Sequence, residues 1–191
     1  MNNKLHTILL AILCFTLVTL IAYSSWAFRL PWIKSEITLY LTCTIIFFSL
    51  GAVSLYPLVK TTTSFKRFAM VFFIGFIAYA ICWCLSWMTL YNKVGELGGS
   101  LLGLAAMIWI FQVGLGRPTK WWLALPILFL THTIGYHLGE WIHAHYSHSH
   151  TSLARLGWGL FHGLGFGTGL AIVLSLGGNP APEKADQAKL P

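Results

Sequence analysis

Charge is what this sequence has least of. Only 9% of its 191 residues are Asp, Glu, Lys or Arg, and just five are acidic. A water-soluble domain carries about a quarter charged residues, so this chain cannot cover a soluble surface. Carboxylates are also too scarce for a di-iron centre built on paired E-x-x-H motifs, because one such pair exists, Glu140 and His143. HExxH is absent, as is an embedded serine-nucleophile motif, which weakens a zinc or serine hydrolase. No nucleotide-binding motif is present, so any transport would be passive, gradient-driven or dependent on a partner. Cysteine is sparse too. Cys14, Cys43, Cys82 and Cys84 all fall in apolar runs without a CxxC pair. That supports neither a thioredoxin-type centre nor a zinc knuckle, and the four read as small buried hydrophobes.

Long hydrophobic runs are abundant. The chain is 57% hydrophobic, with a mean hydropathy of +0.72. Spanning a bilayer takes roughly 17–25 apolar residues, and six segments qualify, near 5–27, 37–59, 68–91, 98–116, 121–143 and 156–176. The expected fold class is therefore all-α, a polytopic membrane helix bundle in contact with lipid. One transmembrane domain is expected over residues 1–177. The tail 178–191 is polar and rich in Pro and Ala, and is expected to be disordered. The first run begins behind Lys4 like a signal peptide, but it continues through Trp26 without a convincing small-residue cleavage site. It reads as a retained helix, with cleavage as the alternative.

The basic residues orient the chain. With the N-terminus inside, Lys4, Lys60, Lys66, Arg67, Arg117, Lys120, Lys184 and Lys189 lie on the inner side, and Arg29, Lys34, Lys93 and Arg155 on the outer. Both termini are then cytoplasmic, and the loop after the fifth helix faces out, into the periplasm if the membrane is a bacterial inner membrane. The net charge of +7 is spread over loops, with no basic, aromatic-interleaved polar domain. Nucleic acid is therefore excluded as a partner.

Against this background one stretch stands out, THTIGYHLGEWIHAHYSHSH at 131–150, which holds six of the eight histidines. At 100° per residue, His132, Tyr136, Glu140 and His143 share one helix face, with His137 flanking it. Ionisable groups in a bilayer are expensive unless they face protein or water, so this face implies an internal site. Glu140 and His143, three residues apart, can reach one point. His162 in the sixth helix is expected level with His137, so that His137, Glu140, His143 and His162 meet while His132 lies deeper. Glycines at 157, 159, 163, 165, 167 and 169 would let the sixth helix approach its neighbours; packing alone is the plainer account of them. His145, His148 and His150 form a metal-gathering lip, or simply a polar loop. Glu96, at the outer start of the fourth helix, is a further candidate for the outer site.

GLFHGLGFGTGL, residues 159–170, resembles the glycine-rich histidine helix of the HupE/UreJ group of nickel/cobalt accessory membrane proteins, and the run Thr131, His132, Thr133 resembles an Ala-His-Ser element of that group. The resemblance covers under a quarter of the chain, and the group's early His-Pro and Asp-His elements are absent. It implies His132 and His162 as metal contacts.

The leading expectation is transition-metal handling, by a permease, sensor or delivery factor. Imidazole ligands suit Ni, Co, Zn, Cu or Fe without choosing among them. A membrane or periplasmic protein is a natural partner for such a factor. The alternatives are a Zn- or Fe-dependent membrane enzyme, a b-type haem protein in which a helix-five histidine faces His162, and a metal-free structural subunit.

Overall fold

Small polar residues mark where three of the helices begin. Ser35 accepts from the Thr38 amide at 3.2 Å while the Thr38 hydroxyl accepts from the Ser35 amide at 3.1 Å. Ser64 accepts from the Arg67 amide at 3.4 Å, and Asn92 from the Gly95 amide at 3.0 Å. Each such cap meets an amide that the first helical turn leaves without a partner, and is worth about 1 kcal/mol. The computed structural model describes residues 2–117 and 120–177; the tail expected at 178–191 lies outside them. Over the described residues the chain forms an all-α bundle without strands: α1 (Asn2–Ala27), α2 (Glu36–Leu58), α3 (Phe65–Leu90), α4 (Lys93–Leu115), α5 (Trp121–Tyr146) and α6 (Thr151–Leu176).

Five of these, all but α5, are long and apolar enough to cross a membrane, so the protein is an integral membrane helical bundle. Helix α5 is as long as α6, but its histidines and Glu140 dilute its apolar character. Both α4 and α6 run away from the end that carries Lys93 and Thr151, so the α5 between them has to cross back. The α4 helix starts at Lys93, a full turn before the apolar run expected from 98, because Asn92 caps it. Likewise α6 starts at Thr151 rather than 156.

Helix α6 packs between α1 and α5, α4 between α5 and α3, and α2 against α1 and α3. Small residues set these approaches, as expected where lipid removes most of the hydrophobic drive between helices. The tightest is α5 on α6. A Cβ on Gly135 would lie 2.8 Å from Gly165 Cα, and a Cβ on Gly165 would lie 2.8 Å from Gly135 Cα. The two backbones are therefore in direct contact, and any side chain there would part them. On the other side of the bundle, Gly103 lets α4 close on the backbone of Tyr79, 2.9 Å from a built Cβ.

Helix α2 buries nothing over its first eleven residues, Glu36–Ile46. A π turn at Phe47–Gly51 then redirects it, and Phe47, Gly51, Ala52, Ser54 and Leu55 are buried. The centre of the bundle is phenylalanine from all round: Phe15 meets Phe166 edge-on at 5.8 Å, Phe47 stacks on Phe76 at 5.1 Å, and Phe72 on Phe111 at 6.3 Å. At the end remote from Lys93, cations meet helix C-terminal carbonyls. Arg67 donates to Gly114 O at 2.8 Å, and Arg117 donates to Leu174 O at 3.1 Å and Gly177 O at 2.7 Å. That pairing suits the negative end of the helix dipole.

Candidate functional site

The polar side chains at the Lys93 end form two tiers. The upper tier is built from the first turn of α4 and the last turns of α5. Glu96 is 6% exposed and points inward from α4. His137 and Glu140 stand one turn apart on α5, and His137 Nδ1 donates to Glu140 Oε2 at 2.8 Å. One ligand atom each from Glu96, His137 and Glu140 lie within 4.8 Å of one another. Lys93 Nζ reaches into the same space and donates to Glu96 Oε2 at 2.7 Å and to Glu140 Oε1 and Oε2 at 2.7 and 2.8 Å. Two carboxylates against one ammonium leave the tier with a single net negative charge when His137 is neutral, which favours a cation.

The lower tier is the pair of buried His132 and half-buried His162. His132 is 1% exposed, and its Nε2 is hydrogen-bonded to the Tyr79 hydroxyl at 2.7 Å. His162 Nδ1 is hydrogen-bonded to the Tyr23 hydroxyl at 3.2 Å. The rings meet edge-to-face, 5.4 Å between centroids. Each keeps one buried nitrogen without a hydrogen-bond partner, Nδ1 of His132 and Nε2 of His162. A polar atom buried without a partner costs about 1–3 kcal/mol, so two in one cluster need a reason.

Tyr136 joins the tiers. Its ring lies 5.4 Å from His137 above, and 6.2 Å from His132 and 5.8 Å from His162 below. Below the histidines the polar chain stops. Phe166 packs at 5.0 Å from His132 and 5.8 Å from His162, and beyond it lies the phenylalanine core.

The four residues expected to meet therefore divide. His137 and Glu140 come together, completed by Glu96. His162 lies beside His132 instead of level with His137, because the Gly135–Gly165 crossing sets the register of α5 on α6. His143 turns away, its ring 5.0 Å from Trp26 and 5.3 Å from Trp158, in an aromatic seam that Arg155 closes from 4.5 Å above Trp26. The physical reason is that α5 has a neighbour on each side. A polar face about a quarter-turn wide is then split, with His137 facing α4 and His143 facing α1 and α6. His145 lies tilted against Trp141 at 4.3 Å, its Nδ1 donating to Trp141 O at 2.9 Å. His148 and His150 are exposed in the turn that joins α5 to α6.

Lys93, Tyr79 and Tyr23 escaped the sequence reading, in which Lys93 entered only as a loop charge. The signal for Lys93 was its three-residue spacing to Glu96 at a helix start. For the tyrosines it was a phenol deep in an apolar run, where a buried hydroxyl has to find a partner.

The chemistry on offer is one imidazole and two carboxylates near one end of the bundle, with two imidazole nitrogens beneath. That set suits a divalent transition metal better than calcium, which prefers oxygen alone. Fold and side-chain placement together define a polytopic helical membrane protein with His, Glu and Tyr side chains clustered at one end of the bundle. No family model, curated protein or solved structure matches the chain.

Proposed function

We propose that the protein handles a transition-metal ion in the membrane, taking it up at Glu96, His137 and Glu140 and holding it at His132 and His162. The observation that carries this reading is the stacking of a three-ligand group, all atoms within 4.8 Å, over two imidazoles that each keep an unpartnered buried nitrogen. Tyr136 bridges the two. The resemblance of residues 159–170 to the HupE/UreJ glycine-rich helix, and of Thr131, His132 and Thr133 to that group's Ala-His-Ser element, points the same way, since together they nominate the same two histidines, and makes nickel or cobalt the first ions to test beside zinc, copper and iron.

Access from one end only shapes the proposal further. Phe166 packs below the histidines, whereas the Lys93 and Glu140 side chains are 57% and 38% exposed at the other end, so on this reading the ion enters and leaves by that end. That is the behaviour of a sensor or delivery factor rather than an open permease. By the distribution of basic residues that face is outside, periplasmic in a bacterial inner membrane with both termini in the cytoplasm, and a receiving partner would dock there. Haem fits less well. Axial ligation needs both imidazoles aimed across a porphyrin, whereas these rings touch edge-to-face and His132 Nε2 is committed to Tyr79.

The test is metal content of tag-free, detergent-purified protein by elemental analysis, a visible spectrum, and titration of variants. Glu140→Ala, Glu96→Gln and His162→Ala are each expected to weaken binding at least tenfold, and His150→Ala to leave it within twofold. Equal binding by all four would sink the proposal. A Soret band would replace it with the haem reading.

A further inference from the structure

We propose that Lys93 is a tethered competitor: its ammonium holds the cation position of the Glu96–His137–Glu140 group and an arriving divalent ion displaces it. The inference rests on the metal reading above and deepens it by assigning how the site is loaded and emptied.

The geometry is specific. An ammonium has three protons to donate, and Lys93 Nζ directs them to three carboxylate oxygens, Glu96 Oε2 and both oxygens of Glu140, at 2.7–2.8 Å. Those are the oxygens a metal needs. Ion and ammonium cannot share them, because each wants the same lone pairs and the two cations repel. Beneath the group, the 1%-exposed His132 keeps its Nδ1 without a partner, so this is more than a surface cluster of acids.

Several features make the ammonium easy to move. The Lys93 side chain is 57% exposed, while that of Glu96 is 8% exposed, so the lysine can return to water and the carboxylate cannot. Lys93 is the first residue of α4 after the Asn92 cap. There the helix dipole opposes a positive charge, and the two carboxylates are what hold it. Its four-carbon stem is flexible. The α3–α4 connection that anchors it is tight, since Tyr91 takes the left-handed conformation at φ 48°, so the lysine backbone stays at the mouth while the side chain swings.

Charge balance then discriminates between ions. With Lys93 in position, two carboxylates and one ammonium sum to a net negative charge of one. A divalent ion with the lysine withdrawn brings the group to neutral. A monovalent ion only exchanges like for like and leaves the group's net charge at minus one, so it gains no charge balance by displacing the lysine. On release, the ammonium re-enters as the metal leaves, and no bare pair of carboxylates is exposed at any stage. The consequence is moderate affinity with fast exchange.

The experiment uses the full chain, tag-free in detergent, and zinc chloride titrated against a chelating indicator. Lys93→Met keeps the stem and removes the charge, and it is expected to bind zinc at least tenfold more tightly than wild type. Lys93→Arg retains the clasp, because a guanidinium grips carboxylates in bidentate fashion; it is expected to bind at least threefold more weakly and also serves as the folded control. In the wild type, zinc is expected to raise reaction of Lys93 with an amine-acylating reagent, read by mass spectrometry of the Lys93 peptide. If the wild type binds zinc but Lys93→Met binds no more tightly, or if zinc leaves Lys93 labelling unchanged, Lys93 is a structural clasp and the inference falls alone. If neither the wild type nor Lys93→Met binds zinc any better than Glu96→Gln, the metal reading falls and takes this one with it.

Discussion

Replacing Gly135 with alanine tests whether one backbone contact assembles the lower tier. The added methyl would lie 2.8 Å from Gly165 Cα and 3.1 Å from Gly165 N, and it would press on the Phe161 carbonyl oxygen. All three are main-chain atoms that cannot rotate aside, so α5 and α6 must separate. Overpacking of this kind costs about 1–3 kcal/mol, set against a gain of up to about 1 kcal/mol from the better helix propensity of alanine. The net expectation is a loss of roughly 1–2 kcal/mol. Gly98 in α4 is the control, since a Cβ there meets nothing within 4 Å. Gly98→Ala should be neutral or stabilise by up to about 1 kcal/mol. The assay is unfolding in detergent followed by circular dichroism, the two variants beside wild type. His132 and His162 each lie three residues before the glycine at the crossing, so Gly135→Ala should also lower metal affinity although it removes no ligand. Adding Gly165→Ala should cost less than it does alone, because the helices are already parted. Wild-type stability for Gly135→Ala, or strict additivity of the pair, would refute this account of the crossing.

Two further outcomes follow from single hydrogen bonds. Tyr79→Phe removes the partner of His132 Nε2 and leaves the buried imidazole with neither nitrogen satisfied, so a thermal shift corresponding to about 1–3 kcal/mol of destabilisation is expected; an unchanged midpoint would mean that another group takes the bond. Arg117→Ala takes away the donor to Leu174 O and Gly177 O, and proteolysis near the end of α6 should become faster while metal binding at the opposite end is unaffected.

Much of the site was legible in residue types and spacing. Glu140 and His137 were adjacent on a helical wheel, and the cost of an ionisable group in lipid marked His132 as internal. Glu96 was recognisable as a carboxylate at the right end of the bundle. The wheel failed for His143 because it describes one helix in isolation, and α5 divides its polar face between two neighbours. Depth counted from helix ends failed for His162, since register between packed helices is set where the backbones touch, at Gly135 and Gly165. Lys93 illustrates a third limit. A long flexible side chain at a helix start can reach water, its own helix or the next one, and only the position of α5 makes Glu140 its partner.

Membrane residence and helix count were written in the sequence itself, because crossing a bilayer depends on length and apolar composition along one segment. Helix starts were local as well, through side chains that meet amides within one turn. The meeting of Glu96 with Glu140, of His132 with His162, and of both histidines with Tyr136 was decided only by tertiary structure. Those contacts join residues of different helices, and the glycine-to-backbone approaches that bring them together depend on how whole helix surfaces fit.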